Sequence, residues 1–323
     1  MKASSFLILT EAGDHIGLGH LTRCSAIADF ISDNDEIKCN ILLNYKGYLK
    51  TALSKYIIQD WLQNLDFLNQ DKAYNTVIVD SYLMDTELFP ILKNQFNTVI
   101  AIDDYGRIQL GPDLIINPNI YGDSVAYQAK SVGGKEYIIL RKAFRTNNQK
   151  LIIRDKVTNI LITLGGSDYR QLLPKFIKSF ESLPYHFDFI CGNDEYQEEL
   201  VNNFGQLSTK YHFHGFLSDN EMKNIMLKSD IAISACGQTL HELAFLGVPT
   251  SGVCIDKYQK FNMQYYVSVK ILPEALYWNI FNIMEKIKQL IDTYTFCMRK
   301  KISSLSTQMV KSNGIENIYK NIL

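Results

Sequence analysis

The chain has 323 residues, 46% hydrophobic and 21% charged, with a formal net charge of -1. That length predicts two domains of about 150 residues each, and the near-neutral balance offers no basic field for nucleic acid or an anionic membrane. No apolar run approaches the roughly 20 residues that cross a bilayer, and the six cysteines lack any C-x-x-C pair, so a reduced, cytoplasmic protein is expected.

The first half alternates short apolar runs with helical patterns. Strands are predicted at Phe6–Thr10, Ile37–Asn44, Thr76–Asp80, Thr98–Asp103, Leu114–Asn117 and Tyr137–Leu140, with helices at 20–32, 47–63 and 85–96. The apolar start is too short for a signal peptide and runs at once into Glu11 and Asp14. After the polar stretch 145–150 the pattern restarts. Strands are predicted at Asn159–Leu164, His186–Cys191, Tyr211–Phe213, Ile231–Ala235 and Thr250–Cys254. Helices are predicted at 170–182, 194–204, 219–228, 238–246, 262–270 and 279–295, and a last amphipathic helix at 299–322 is expected to pack back on the first domain. Strands apolar throughout and separated by helices predict parallel sheets covered on both faces. We therefore expect two Rossmann-like, doubly wound α/β domains, 1–147 and 148–323, with ligands outside the carboxyl ends of the strands.

The loops at those ends carry the candidate chemistry. The first runs Gly17-Leu18-Gly19-His20, with Arg23 one turn later. Two glycines allow close approach of a ligand, and a histidine at a helix start is suited to proton transfer. The bland alternative is a glycine turn with a capping histidine. The second loop follows a strand with Gly165-Gly166-Ser167-Asp168, leaving amides to face oxygen-rich ligands. The third, Cys236-Gly237-Gln238-Thr239-Leu240-His241-Glu242, ends a buried strand and opens a helix, whose first amides suit a diphosphate. Glu242 is placed to accept ribose hydroxyls, against a bland reading as a dipole-complementing residue beside a surface His241. Asn262 and Gln264 supply amides after the next strand. Asp80 and Asp103-Asp104 end strands in the first domain, a pattern for acid–base work, a metal, or plain turn capping. There is no H-x-x-H, H-E-x-x-H or cysteine cluster, no Walker A motif and no G-x-S-x-G elbow. Neither a metal nor another cofactor is expected.

Taken in order, G-x-G-H-x-x-R, V-D-x-Y, I-D-D, L-R-x-x-F (Leu140 to Phe144), L-G-G-S-D, S-A-x-G-x-T-x-x-E and a late N-x-Q resemble the UDP-sugar hydrolases of pseudaminic acid biosynthesis. Those are UDP-2,4-diacetamido-2,4,6-trideoxy-β-L-altropyranose hydrolases, relatives of the MurG-type GT-B glycosyltransferases. The resemblance spans about residues 6–270. It implies a GT-B architecture with an interdomain cleft and a metal-independent hydrolysis of a UDP-linked deoxy-amino sugar with inversion. It assigns His20 as the catalytic histidine and puts Gly19, Arg23, Asp80, Tyr82, Asp104, Asn262 and Gln264 on the sugar side. The nucleotide side takes Gly165, Gly166, Phe216, Leu217, Cys236, Gly237, Gln238, Thr239 and Glu242, with the base read by backbone groups near Phe216 and Leu217. The chain departs from the family at Ser81, Ala143 and Met263, all on the sugar side. The alternatives are a glycosyltransferase with an alcohol acceptor, for which Tyr45-Lys46-Gly47-Tyr48-Leu49-Lys50 is a modest basic patch, and a nucleotide-sugar-binding protein without turnover.

Overall fold

The computed structural model describes the chain except for residues 1–4, 14, 15, 35, 36, 48–52, 54, 55, 70–72, 147, 148, 150, 167 and 323 and the side chains of 34 and 69. The chain divides into two compact units, Met1–Lys142 with Asn313–Leu323, and Ala143–Ser312.

The first unit contains β1 (Ser5–Gly13), α1 (Gly19–Asn34), β2 (Lys38–Lys46), β3 (Ile57–Ile58), β4 (Thr76–Asp80), α2 (Leu88–Gln95), β5 (Thr98–Ile102), β6 (Leu114–Asn117) and β7 (Ser131–Gly133), and the single turn α3 (Lys142–Arg145) spans the boundary to the second unit. Its sheet order is β3-β2-β1-β4-β5-β6-β7, with parallel pairs throughout. β1 is central. The chain winds outward through β2 and then returns to β4 on the other side, so a switch point opens between the carboxyl ends of β1 and β4. β1 is buried on both faces from Phe6 onward, as expected of a strand between two helical layers.

The second unit holds β8 (Asn159–Thr163), α4 (Leu173–Phe180), β9 (His186–Ile190), α5 (Asp194–Phe204), β10 (Tyr211–His214), α6 (Asp219–Lys228), β11 (Ile231–Ala235), α7 (Gln238–Leu246), β12 (Thr250–Cys254), α8 (Lys260–Ser268), β13 (Leu276–Tyr277), α9 (Ile283–Thr293) and α10 (Phe296–Met309). The sheet order β10-β9-β8-β11-β12-β13 is again parallel, with its switch point between β8 and β11. Local chemistry sets several helix starts. Ser218 and Glu221 form a capping box on α6, and the Asn193 side chain accepts Tyr196 N–H at 2.8 Å to start α5.

Three sequence expectations are corrected. Tyr137–Leu140 is not a strand: the segment is irregular after a short 3-10 turn, although Ile138, Ile139 and Leu140 are fully buried. In the region expected to be helical at 47–63, residues 48–52, 54 and 55 lie outside the described residues, and the described remainder carries β3 and turns. The single helix expected at 299–322 is two, α10 and α11 (Gly314–Ile322). α11 belongs to the first unit, where Ile315 and Ile318 join Ile8, Ile27, Ile31, Ile116 and Ile139 in one core cluster. Burying each of the two isoleucines contributes about 1.5–3 kcal/mol.

Candidate functional site

In the first unit the loop after β1 is closed by paired backbone bonds between Gly13 and Gly17, and α1 begins two residues later. Asp14 and His15 lie outside the described residues. His20, in the first turn of α1, is 5% exposed, and Arg23 follows on the same face. Asp80 ends β4, next to β1 in the sheet, and Asp104 lies two residues beyond β5. The winding of the sheet thus brings four residues from three segments to one edge.

Their contacts are mutual. Arg23 Nε donates to Asp80 Oδ2 at 2.6 Å and Nη2 to Asp80 Oδ1 at 2.6 Å. Arg23 Nη1 donates to Asp104 Oδ1 at 2.7 Å and Nη2 to Asp104 Oδ2 at 3.0 Å. One planar guanidinium therefore serves two carboxylates, a geometry that lysine cannot supply. Burial alone would raise the Asp80 carboxyl, but Arg23 and then His20 outweigh it and hold Asp80 well below the usual carboxylate range. Burial likewise pushes Asp104 up, and Arg23 brings it below its ordinary value. Arg23 stays charged because Asp104 and Asp80 overcome its desolvation.

The ionised Asp80 fixes the histidine. His20 Nδ1 lies 2.7 Å from Asp80 Oδ1. A carboxylate only accepts, and the two Nη2 hydrogens of Arg23 go to Asp80 and Asp104, so Nδ1 carries the proton and Nε2 is left as a lone-pair base. Tyr82 packs edge-on against the ring at 4.3 Å between centroids, and its hydroxyl donates to Asp104 Oδ2. The turn holding Tyr82 is pinned from below by Glu11, which accepts from Tyr82 N–H at 2.7 Å and from the Ser81 hydroxyl. Gly19 is exposed, and a side chain there would meet open space.

Of the aspartates read as candidates for acid–base work, a metal or turn capping, Asp80 and Asp104 are partners of Arg23, while Asp103 accepts Ile108 N–H at 3.1 Å, as the capping alternative has it. Among the described residues no group of three His, Cys, Asp or Glu side chains is arranged to hold a metal. Sequence reading missed the outer members of the network. Asn119 Nδ2 donates to Asp104 Oδ1 at 2.6 Å, Tyr121 OH donates to Asp104 O at 2.6 Å, and Asn117 Oδ1 in turn accepts from Asn119. Their only signal is two asparagines around a proline at the end of a buried strand.

Of the residues expected on the nucleotide side, Gly165 and Gly166 follow β8, Cys236, Gly237, Gln238, Thr239 and Glu242 follow β11, and Phe216 and Leu217 follow β10 at the edge of the sheet. Gly165 has φ +97° with open space where a side chain would lie, which leaves the turn narrow and its amides accessible. Gly166 is half-buried and Ser167 lies outside the described residues. Asp168 caps α4, accepting Leu172 N–H at 2.9 Å and Leu173 N–H at 2.7 Å. Gly237 caps α7 without a side chain, and Gln238 and Thr239 occupy its first turn half-buried. Glu242, one turn on, is 1% exposed.

The Cys236 N–H is already engaged. Gln259, not singled out from the sequence, accepts it through Oε1 at 3.1 Å and accepts Ile255 N–H at 3.2 Å. This carboxamide latches the β11–α7 turn to the end of β12, and the two donors orient it so that Nε2 lies beside Gly237. Asn262 and Gln264, two residues apart on α8, face different ways: Asn262 is buried, its Nδ2 3.5 Å from Cys236 O, while Gln264 is exposed. His241, taken in the bland reading as a surface residue, is buried and bonds Tyr266 OH through Nδ1 at 2.8 Å. Phe216 is exposed, but its N–H is taken by Asp194 Oδ1 at 2.8 Å, which leaves its carbonyl as the available backbone group; Leu217 beside it is half-buried.

Residues 132–322, more than half of the chain, match the model of the glycosyltransferase family 28 C-terminal domain. The chain belongs to this family. Among relatives of this family 28 chain, the spore coat polysaccharide biosynthesis protein SpsG of Bacillus subtilis (strain 168) is 25% identical over 256 residues, covering 75% of each chain. The Helicobacter pylori protein named pseudaminic acid cytidylyltransferase and UDP-2,4-diacetamido-2,4,6-trideoxy-beta-L-altropyranose hydrolase is 24% identical over 264 residues. That match covers 80% of this chain and 46% of that one. Among solved structures, Acinetobacter baumannii MurG superposes with a TM-score of 0.66 at 13% identity over 98% of this chain and 99% of that one. The S. aureus MnaA–UDP structure gives 0.66 at 13% over 99% and 96%. These structural likenesses show the fold, which is GT-B. No described helix is long and apolar enough to cross a membrane, and residues 48–50 of the basic patch lie outside the described residues.

Proposed function

We propose that the chain hydrolyses a UDP-linked deoxy-amino sugar at its anomeric carbon, with His20 as the general base. The observation that carries this reading is the His20–Asp80 pair, which puts the proton on Nδ1 and presents Nε2 as an acceptor. The hydrolase activity in the name of the Helicobacter pylori relative supports it, as does UDP bound to a GT-B neighbour.

In this mechanism Nε2 takes a proton from water as its oxygen attacks the anomeric carbon. The carbon–oxygen bond to the diphosphate breaks, UDP leaves with the bonding pair, and a single displacement inverts the centre. The second unit binds the nucleotide. The first-turn amides of α7, together with its dipole, stabilise the charge that grows on the diphosphate, with Gly165 and Gly166 as the facing turn. Gly19 leaves room at the base, and Glu242 accepts from the ribose. Asn262 and Gln264 lie on the sugar side. In this reading Arg23, Asp80, Asp104 and Tyr82 hold the base rather than grip the sugar.

The nearest alternative replaces water by an alcohol acceptor, and the family assignment and the spore-coat polysaccharide relative favour it. Incubating the protein with UDP-sugars alone and following products by NMR separates the two. Free sugar of inverted configuration plus UDP supports hydrolysis, and turnover only with an added acceptor supports transfer. Binding without turnover under both conditions refutes both readings. His20→Ala should lower turnover about 100-fold or more while leaving UDP affinity, measured calorimetrically, near the parent's.

A further inference from the structure

His20 presents a physical difficulty. Arg23 Nη2 lies 3.1 Å from the same Nδ1 that bonds Asp80, and a cation at that range opposes a second proton on the ring. A base in that position needs compensation. Asp80 alone would only cancel Arg23. The surplus comes from Asp104, which takes Nη1 at 2.7 Å and Nη2 at 3.0 Å. Two carboxylates and one guanidinium leave a net charge of -1 beside the imidazole.

The other groups around the ring are common to the protein with and without the Asp104 charge. From α1 come Arg23 and Cys24, whose thiol burial and then Asp80 keep protonated. β4 supplies Asp80. The following turn supplies Tyr82, kept protonated by burial and then Asp104, with Tyr105 packed behind it. β1 contributes the carboxylate of Glu11, held by the neutral donors Ser81 OH and Tyr82 N–H and unchanged by substitution at Asp104. Asp104 itself is aimed by neutral donors, Asn119 Nδ2 at 2.6 Å and the Tyr82 hydroxyl.

We infer that Asp104, although it does not bond His20, is the positioning residue that makes His20 a usable base by offsetting the charge of Arg23. This rests on the proposed role of His20 for its catalytic consequence, but not for its effect on the ring. Removing the Asp104 charge leaves Arg23 and Asp80 to cancel, and frees Arg23 to draw Asp80 away from Nδ1. Both effects make the protonated ring less favourable.

The test is Asp104→Asn, read in two ways. In substrate-free protein, the titration midpoint of the His20 ring resonances should move to lower pH by about one unit. The low-pH limb of the kcat/KM profile should move by the same amount in the same direction, with a lower plateau because the base is weaker. Asp103→Asn is the control. That neighbouring carboxylate accepts Ile108 N–H at 3.1 Å, and the midpoint should stay where it is in the parent. A midpoint in Asp104→Asn that is unmoved or moves upward overturns the inference. If Asp104→Asn does not fold, Asp104→Glu, which keeps the charge, decides: its midpoint should stay near the parent's, and a fall of the size expected for Asp104→Asn overturns the inference. A shifted midpoint in a protein that cleaves no UDP-sugar would leave the inference standing and refute the proposed function.

Discussion

Asp80→Asn should be the most damaging single-atom change in the first unit. The substitution keeps shape and volume but removes a buried negative charge that accepts from Arg23 Nε at 2.6 Å, Arg23 Nη2 at 2.6 Å and His20 Nδ1 at 2.7 Å. It also turns an NH2 group towards donors. Breaking a buried ion pair by deleting one partner costs about 3–5 kcal/mol, because the remaining charge stays desolvated. Asp104 still holds Arg23, so the lower end, about 3 kcal/mol, is expected. For the first unit, Met1–Lys142 with Asn313–Leu323, melting as a unit, that lowers Tm by roughly 6–12 °C. The effect has a definite pH dependence. Asp80 is depressed in the folded state, so its contribution is present above the unfolded value of about 4 and is lost as pH falls further. Thermal melts of parent and variant should thus differ fully at pH 7 and converge in strongly acidic buffer. Turnover should fall about 100-fold or more at neutral pH, since the tautomer of His20 is no longer enforced. A variant that melts with the parent at pH 7, or a gap that widens as pH falls, would refute the ion-pair account.

Two further outcomes follow from other parts of the chain. Gln259→Ala should release the N–H groups of Cys236 and Ile255 together, costing about 1–2 kcal/mol of stability in chemical denaturation. It should weaken UDP binding in calorimetry if the latched turn holds the diphosphate; unchanged UDP affinity would remove the turn from the site. Gly314→Ala would bring a Cβ to 1.9 Å from Ile138 O, too close for any adjustment short of moving α11. Hydrogen exchange should then rise over residues 314–322 and over Ile138 and Ile139, and unaltered protection there would show that α11 is docked by other contacts.

The pattern of what was readable has a physical basis. Thr76–Asp80, Leu114–Asn117, Ile231–Ala235 and Thr250–Cys254 stand in the structure at the bounds their apolar runs predict, because interior parallel strands are buried on both faces. The same signal misleads at Tyr137–Leu140. An apolar run reports burial, not pairing, and Ile138 and Ile139 are buried without a place in the sheet, against α11. Edge strands of two or three residues, such as β3, β7 and β13, are too short to carry any period. For the site, strand ends located His20, Asp80, Asp104 and the Gly237 turn, since a doubly wound sheet leaves few other places for polar residues to converge. What a linear sequence does not encode is stoichiometry. Two aspartates at two strand ends look like a pair of acids until a single arginine, a helix away, is seen to take both. The carboxylates are then ionised scaffold, and the group left with an uncommitted lone pair is Nε2 of His20.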